Sequence, residues 1–384
     1  AYEVNIGDWS SDVCSSDLLV CAPHVWEGQP WKVLKHFWWY AMNTSAESTV
    51  TPRPVYHHDG AKSPDFYAHP YILKQQLVEK HGVFPLFNFW GPTANAESTR
   101  WIAASFITAW EIEKPDLALC YLPHLDYDLQ RYGPEGPHLA ENLREIDACA
   151  GRVIEFARSN NAKILVVSEY GLSPVSDAVF PNFALREAGF LNVSRNTAGE
   201  LIDTGTSKAF AVCDHQIAHV YVKNLADVFA VRNHLATIPG IARVLLPHEH
   251  DSIGLAHPRS GEIILLAEQG FWFAYDYWLE AAKKPDFAQA VEIHKKPGYD
   301  PRELFFDPKG GKWRAAKALL RKKIGFRYLL NPCSLDPKLV RGSHGLAPLQ
   351  PEDGPILISS EHEDAAERPK HQRDIASLIR SYLR

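Results

Sequence analysis

Three short polar motifs each follow an apolar run, and their residue types suit metal binding or proton transfer. They are Asp126 with Asp128 and Gln130, then Glu169 with Tyr170, then His344. Carboxylates and imidazoles bind divalent cations and act as general acids or bases. In open α/β sheets, such groups gather where the strands end at their carboxyl termini. The three motifs therefore predict one metal-binding or catalytic site.

Each candidate also has a structural interpretation. Asp126 could cap a helix that begins near His138, and Glu169 could pair with a neighbouring arginine. A lone histidine such as His344 is more often structural than catalytic. The Asp214-His215 pair at a strand edge is a further candidate, as is His294, a polar residue among apolar neighbours. The residue types alone leave both interpretations open at every position.

The elements that must position these residues follow an alternating pattern. Residues 117–122 and 163–167 form apolar runs typical of strands that are buried on both faces, and a helix is predicted between them over 138–159. Alternating strands and helices predict an α/β fold: a three-layer α/β/α sandwich around a mostly parallel, doubly wound sheet. Strands are also predicted at 210–212, 219–222, 241–246 and 263–267, and helices at 67–81, 97–113, 181–189, 225–238, 312–323 and 371–383.

Composition narrows the classes of function. The chain has 384 residues, 46% apolar and 22% charged, with a net charge of −6. It shows no basic footprint for a nucleic acid polymer, and no Lys/Arg block that suggests a membrane surface. The basic helix over 312–323 is interpreted as a solvated face. No apolar run reaches the ~18–20 residues of a spanning helix. Six scattered cysteines without a CxxC motif favour a reducing, cytoplasmic compartment.

The first eighteen residues do not match the rest. Ala1 to Leu18 is rich in Ser and Asp, has no apolar period, and resembles a translated sequencing adapter. We expect this run to be non-native; the alternative is a disordered polar N-terminus. Residues 19–384 are then expected to form a single, incomplete α/β domain. Within it, the aromatic and Pro-rich segment 271–345 would return to the metal site.

At these motifs the chain resembles the type I phosphodiesterase/nucleotide pyrophosphatase branch of the alkaline phosphatase superfamily. The family pattern is Asp-x-x-x-His followed by Gly-Pro, then Ser-Asp-His-Gly, then His-Gly. Asp126 with Gly133-Pro134 matches the first part, residues 168–171 the second, and His344-Gly345 the third. The segments 51–67, 84–92, 285–308 and 339–345 look like a bacterial subgroup of that family, and no GxSxG, P-loop or GxGxxG motif supports another class.

The resemblance implies an alkaline-phosphatase-like fold and attack of a hydroxyl nucleophile on phosphorus, through a covalent phospho-enzyme. Two divalent ions, usually Zn, would stabilise the attacking and leaving oxygens. It implies Asp126, Glu169 and His344 as metal ligands. Gln130, however, stands where the family has a metal-binding His, and Glu169-Tyr170 stand where it has Asp-His. Further candidates for metal or substrate binding are Tyr170, Gln130, Asp214, His215 and His294.

The resemblance also implies that part of the site is missing. Nothing between Leu19 and Tyr56 reads as a buried strand followed by an Asp and then by a Thr or Ser nucleophile. We therefore expect a fragment that binds metal poorly and hydrolyses little, whose intact parent cleaves a small phosphate ester or nucleotide-like substrate. One alternative is a degenerate member that binds a phosphorylated ligand without cleaving it. Another is a metal-free hydrolase with paired carboxylates, Asp126 or Asp128 with Glu169, as in glycosidases.

Overall fold

A computed structural model describes residues 30–38, 42, 44–58, 62–326, 328–361 and 374–383. The run from Ala1 to Leu18 lies outside the described residues. The α-helices, in chain order, are α1 Tyr71–His81, α2 Ala96–Glu113, α3 His124–Tyr132, α4 Leu139–Ser159, α5 Pro181–Glu187, α6 Val228–Leu235, α7 Gly311–Lys323 and α8 Ile375–Tyr382.

The strands lie between and before these helices. In chain order they are β1 Val33–His36, β2 Ser48–Pro52, β3 Val55–Tyr56, β4 Lys62–Ser63, β5 Phe66–His69, β6 Leu117–Cys120, β7 Leu165–Val167, β8 Ser173–Val179, β9 Val193–Asn196, β10 Gly199–Ile202, β11 Ala209–Asp214, β12 Ile217–Val222, β13 Ile241–Leu245, β14 Ile263–Ala267, β15 Gly270–Phe273, β16 Gly342–Ser343 and β17 Leu357–Ser359.

A three-layer unit is built on the sheet β5-β2-β1-β6, in which β1 runs parallel to β2 and to β6. Successive side chains of a strand point to opposite faces. Leu34 accordingly packs with α1 and α2 on one face, whereas Val33 and Leu119 meet Ala376 and Ile379 of α8 on the other. The predicted α/β class and its helix-covered sheet are confirmed here.

Helix α2 shows why the local sequence folds as predicted. The Asn95 side chain accepts a hydrogen bond from the backbone N–H of Glu97, which satisfies a donor at the helix start. Ile102, Phe106 and Ala109 recur at helical spacing and are buried against the sheet. The helix ends at Lys114, which is left-handed and precedes Pro115.

The region before Tyr56 contains structure that the sequence analysis missed. β1 and β2 are fully buried strands, and β1 lies between β2 and β6. They were missed because Lys35, His36, Ser48 and Thr49 are polar yet buried, so neither run reads as apolar. The sequence between β1 and β2 contains no Asp, and the loss of the nucleophile region stays a prediction.

The second half of the chain is more antiparallel than the alternating pattern predicts. Strands β11, β12, β14 and β13 form an antiparallel sheet in that order, with its own core. Only two residues separate β11 from β12, which is too short for a parallel crossover. The sheets of the described residues are thus mixed or antiparallel: β2 pairs in parallel with β1 and antiparallel with β5, and β8 pairs in parallel with β15 and antiparallel with β16.

A cavity of about 2830 Å³ lies between β6 and β7, and residues of both strands line it. Within the described residues, β6 pairs only with β1, and β7 pairs only with β17. Both strands therefore present a sheet edge that has no partner in the described part of the chain. Helices α4 and α8 contribute further apolar lining, including Ile154 and Ile379.

Two of the compositional expectations concern membranes and thiols. None of the helices in the described ranges combines the length and the apolar character needed to cross a bilayer. Cys120, Cys149, Cys213 and Cys333 are free thiols, and the last three are buried. Burial raises the pKa of the Cys213 thiol well above its usual range, so this group is a neutral core residue.

Candidate active site

Asp126 lies on a helix of its own and does not cap the helix that begins after His138. The chain leaves β6 at Cys120 and enters α3 at His124, which places Asp126 in the first helical turn. Asp126 and Gln130 are four residues apart and hence neighbours on one helix face. Gln130 Nε2 donates a hydrogen bond to Asp126 Oδ2 at 2.6 Å. The Asp-x-x-x-Gln spacing is therefore a helical contact pair.

Tyr170 joins the three motifs. It follows β7, and its hydroxyl donates to Asp126 Oδ1 at 3.2 Å. Its ring lies flat on the imidazole of His344, with centroids 3.6 Å apart and planes 6° apart. Residues that follow β6, β7 and β16 in the chain thus meet at one place, and their role as a metal site stays a prediction. Asp126, Glu169, Tyr170, Asp214 and His344 all line the cavity between β6 and β7.

His215 extends this stack from the opposite side. Its imidazole centroid is 3.7 Å from that of His344 and 4.7 Å from the ring of Tyr299. His215 Nδ1 lies 2.5 Å from Asp214 Oδ1, so the carboxylate fixes the orientation of the ring. His215 occupies the first position of the two-residue β11–β12 turn, with φ of +53°. A non-glycine residue there is strained, and such strain is concentrated at functional sites.

Glycines hold the backbone close to the stack at two points. A Cβ on Gly171 would lie 1.7 Å from the carbonyl oxygen of Asp353, so the chain after Tyr170 can pass only without a side chain. Gly345 has φ of +113°, a conformation that favours glycine. Next to it, the carbonyl of His344 accepts a hydrogen bond from Gln216 N at 2.8 Å. This bond ties the last motif to the β11–β12 turn.

Burial controls the charges of the cluster. It raises the pKa of Asp126 to about 6, although His215, the Tyr170 hydroxyl and the Gln130 amide oppose the shift. Burial, together with the neighbouring His215, holds the pKa of His344 well below its usual value. His344 is therefore a neutral imidazole at pH 7, the form that can donate a lone pair to a metal or accept a proton.

Two imidazole nitrogens of the cluster lack partners. His215 Nε2 and His344 Nε2 are buried, and neither has a hydrogen-bond partner among the described residues. Gln130 Oε1 is also buried and has no hydrogen-bond partner among the described residues. Buried polar atoms are normally satisfied, so an unsatisfied group indicates a strained or functional position. Three such atoms around Asp126 are consistent with a site that takes a polar ligand.

Two other predicted residues, Asp128 and His294, lie outside the cluster. Asp128 accepts hydrogen bonds from Arg131 and Asn142, at 3.1 and 2.9 Å, and serves α3 and α4 structurally. His294 lies part-buried in the loop before Gly298 and is not among the residues that line the cavity. The contact of Tyr299 with His215 was not predicted, because the sequence shows only an aromatic residue after Gly298.

The side chains of the cluster provide fewer donors than the expected metal site needs. A zinc site uses three or four protein ligands. In the part of the chain that the structure describes, no group of three or more His, Cys, Asp or Glu side chains is arranged to hold a metal ion. Two of the expected donors, Asp126 and His344, are joined through Tyr170, which hydrogen-bonds to the first and stacks on the second. As arranged, these residues do not complete a metal site.

Comparison with known proteins identifies the family. The family model described as Type I phosphodiesterase / nucleotide pyrophosphatase matches residues 8–300 of the chain. The chain belongs to this family. The resemblance to this family is thereby confirmed; the Asp126 and Glu169 motifs lie within the matched residues, and His344 lies beyond them. The match includes part of the run Ala1 to Leu18, whose non-native origin stays a prediction.

Similar curated proteins cover only part of the chain. An uncharacterized pyrophosphatase/phosphodiesterase of Schizosaccharomyces pombe is 30% identical over 108 residues, which are 26% of this chain and 22% of the relative. The human ectonucleotide pyrophosphatase/phosphodiesterase family member 7 is 29% identical over 166 residues, 38% of this chain and 36% of that protein. The matched part thus spans less than two-fifths of either relative.

Solved structures give similar matches. Phosphonoacetate hydrolase from Sinorhizobium meliloti 1021, in complex with phosphonoacetate, aligns with a TM-score of 0.41 at 14% identity, covering 76% of this chain and 57% of that one. The inactive murine ectonucleotide pyrophosphatase / phosphodiesterase 5 in complex with AMP aligns with a TM-score of 0.36 at 15% identity, covering 49% and 46%.

Proposed function

We propose that this chain carries the substrate site of a hydrolase acting on small phosphate esters, and that the site is the cluster of Asp126, Tyr170, His215 and His344. The observation that carries the proposal is the position of Tyr170, which bonds Asp126 and stacks on His344. This contact brings together the ends of three strands in a chain of the phosphodiesterase/nucleotide pyrophosphatase family. A nucleotide or a similar phosphate ester is the substrate class that membership of this family favours.

The residues have distinct roles in this proposal. Neutral His344 presents an unpartnered Nε2 atom, which can bind a ligand or accept a proton. His215 presents a second buried Nε2 atom without a partner among the described residues. Asp214 keeps His215 in one orientation through its Nδ1. Tyr170 and Gln130 orient the Asp126 carboxylate by donating one hydrogen bond to each of its oxygens. Asp126 ionises near pH 6, so its charge responds to a bound cation or anion.

Metal dependence is the finer part of the proposal. We infer Asp126, Glu169 and His344 as ligands of a divalent ion, and zinc as the first metal to test. The described arrangement supplies fewer donors than a zinc site needs, so we expect weak binding. A bound divalent ion would polarise a phosphoryl oxygen.

The nucleophile limits turnover. A covalent phospho-enzyme needs an activated Ser or Thr hydroxyl. Among the described residues, no Ser or Thr hydroxyl is hydrogen-bonded to Asp126, His215 or His344. We therefore propose that this chain by itself turns over phosphate esters slowly, if a hydroxyl nucleophile is required.

The test combines hydrolysis with ligand binding. Release of nitrophenol from p-nitrophenyl phosphate and bis(p-nitrophenyl) phosphate is measured with Zn²⁺, Mn²⁺, Mg²⁺ or EDTA, and binding of AMP is measured by calorimetry. We expect a slow, metal-stimulated hydrolysis that His344→Ala abolishes. His248→Ala removes an exposed histidine from a surface helix and controls for adventitious metal.

Other outcomes would favour the alternatives. AMP binding that depends on His344, without hydrolysis under any metal, would support a non-catalytic member, which the Gln130 and Tyr170 departures favour. Hydrolysis that resists EDTA and is lost in Glu169→Gln would support paired carboxylates. Absence of both binding and hydrolysis would overturn the assignment of the site.

A further inference from the structure

Helix α7 carries an apolar stripe that faces away from the protein. Trp313, Leu320 and Ile324 are spaced by seven and four residues, so they share one helix face. Their side chains are 69%, 60% and 59% exposed, respectively. Gly311 and Ala318 lie on the opposite face and are buried against the body of the protein. The apolar face of this helix is therefore the outer one, the reverse of a normal surface helix.

The apolar surface continues beyond the helix. Phe326 and Leu329 follow α7 and are also largely exposed. Scattered exposed apolar residues are ordinary, but a contiguous group marks an interaction surface. The basic residues of this helix indicated a solvated face, because the sequence does not show in which direction the apolar stripe points. This surface, called the α7 patch, consists of Trp313, Leu320, Ile324, Phe326 and the basic residues Lys312, Lys317, Arg321, Lys322 and Lys323.

The charge around the stripe has one sign. Between Pro308 and Leu335 the sequence contains eight Lys or Arg residues and no Asp or Glu, although the whole chain has a net charge of −6. Three cations lie beside aromatic rings: Lys317 Nζ is 5.5 Å from the Trp313 centroid, Arg321 is 5.7 Å from the Phe326 centroid, and Lys322 is 5.9 Å from the Tyr328 centroid. Apolar and cationic groups thus share one outer surface.

Arg314 differs from the other basic residues of α7 because it binds the protein. It donates to Asp307 Oδ2 at 2.7 Å and to the carbonyl of Asn331, and so fastens the inner side of α7 to the protein. These bonds hold the inner side of α7 against the protein, and its outer side faces solvent.

We propose that the α7 patch docks the protein onto an anionic lipid surface. A helix with Trp, Leu and Ile on one face and flanking Lys and Arg residues lies in the plane of the interface, where its apolar side chains enter the acyl boundary and its cations meet anionic headgroups. At 13 residues, α7 is only ~20 Å long, so it lies on the bilayer rather than across it.

Charge complementarity decides between the possible occupants. A second copy would bring an equally basic helix against this one, and like charges repel. A nucleic acid would pair with the cations but leave the aliphatic stripe uncovered. An anionic bilayer satisfies both parts of the patch.

The experiment is vesicle co-sedimentation of the full chain. Vesicles of phosphatidylcholine alone are compared with vesicles containing about one-third phosphatidylserine, at low and at high salt. We expect binding to the anionic vesicles only, weakened by salt. The charge variant Lys317→Glu/Arg321→Glu/Lys323→Glu should bind at least about a hundred-fold more weakly. The apolar variant Trp313→Gln/Leu320→Gln should lose most of the vesicle binding that the parent protein keeps at high salt.

The controls keep the proposal falsifiable. All substituted residues are exposed, so thermal unfolding of each variant should match that of the parent protein. Leu225→Gln/Phe229→Gln removes two exposed apolar side chains elsewhere and should leave vesicle binding unchanged. The proposal is overturned if the parent protein ignores anionic vesicles, or if both patch variants bind like the parent. It is also overturned if the patch variants abolish self-association or nucleic acid binding while vesicle binding persists.

Discussion

Replacing Asp126 with Asn should change how the stability of the protein depends on pH. Burial raises the folded-state pKa of Asp126 from 3.8 to about 6. The folded state then holds a proton that the unfolded state has already released. The free energy of unfolding therefore falls as the pH rises from below 3.8 to above 6. The amide of the Asp126→Asn variant would remain neutral throughout, so the variant would escape this loss.

The magnitude follows from the size of the shift. Two pKa units at about 1.4 kcal/mol each give a loss of about 3 kcal/mol over the whole range, of which about 2 kcal/mol fall between pH 4.5 and 7.5. The Asn variant can keep both contacts of the carboxylate, because a flipped Gln130 amide would present its unpartnered Oε1 to the new Nδ2. At pH 7.5 we expect Asp126→Asn to be more stable than the parent protein.

The assay is urea unfolding of both proteins at half-unit steps from pH 4.5 to 7.5, without added metal. Asp128→Asn removes a carboxylate from the same helix, at the contact with Arg131 and Asn142, and controls for a general effect of charge in α3. A stability difference between the Asp126→Asn variant and the parent protein that stays constant over this pH range would refute the assignment of the raised pKa to Asp126.

Three further substitutions test other parts of the structure. Tyr170→Phe keeps the ring on His344 but removes the hydroxyl that lowers the pKa of Asp126, so the loss of stability should move to higher pH in the same urea titration. Gly171→Ala places a Cβ 1.7 Å from a backbone oxygen and should cost about 2–4 kcal/mol; a cost below ~0.5 kcal/mol would contradict the close approach. Arg302→Met leaves Asp276 without its cation and leaves Asp300 with Lys296 alone, and should cost about 3–5 kcal/mol by chemical unfolding. Lys283→Ala, in an exposed pair with Glu280, should cost less than ~1 kcal/mol.

The elements that the sequence predicted correctly are those whose apolar residues recur at a regular period. Helices α2 and α4 lie within about a residue of the predicted ranges 97–113 and 138–159. β1 and β2 were not predicted, because they bury the polar residues Lys35, His36, Ser48 and Thr49. The pairing of β11 with β12 was not predicted either, because the two-residue turn places a histidine where hairpins prefer glycine.

The site was predicted as a set of residue types and only partly as an arrangement. The motifs indicated Asp126, Glu169 and His344 as the metal ligands, with Tyr170 as a further candidate. In the structure it is Tyr170 that joins Asp126 and His344, and β6, β7 and β16, which precede these residues, belong to three different sheets. The stack of Tyr170, His344, His215 and Tyr299 was not predictable, because it depends on the turn that brings β11 and β12 beside β16. No spacing in the sequence encodes that contact.

The two strand edges at the cavity between β6 and β7 have a consequence for how the protein behaves at high concentration. An unpaired edge offers a row of backbone N–H and C=O groups that any extended chain can join. Here two such edges lie on the walls of one apolar cavity, without partners in the described residues. We expect concentrated solutions of this chain to form β-rich aggregates that bind thioflavin T. A short apolar peptide that adds to either edge should delay their growth.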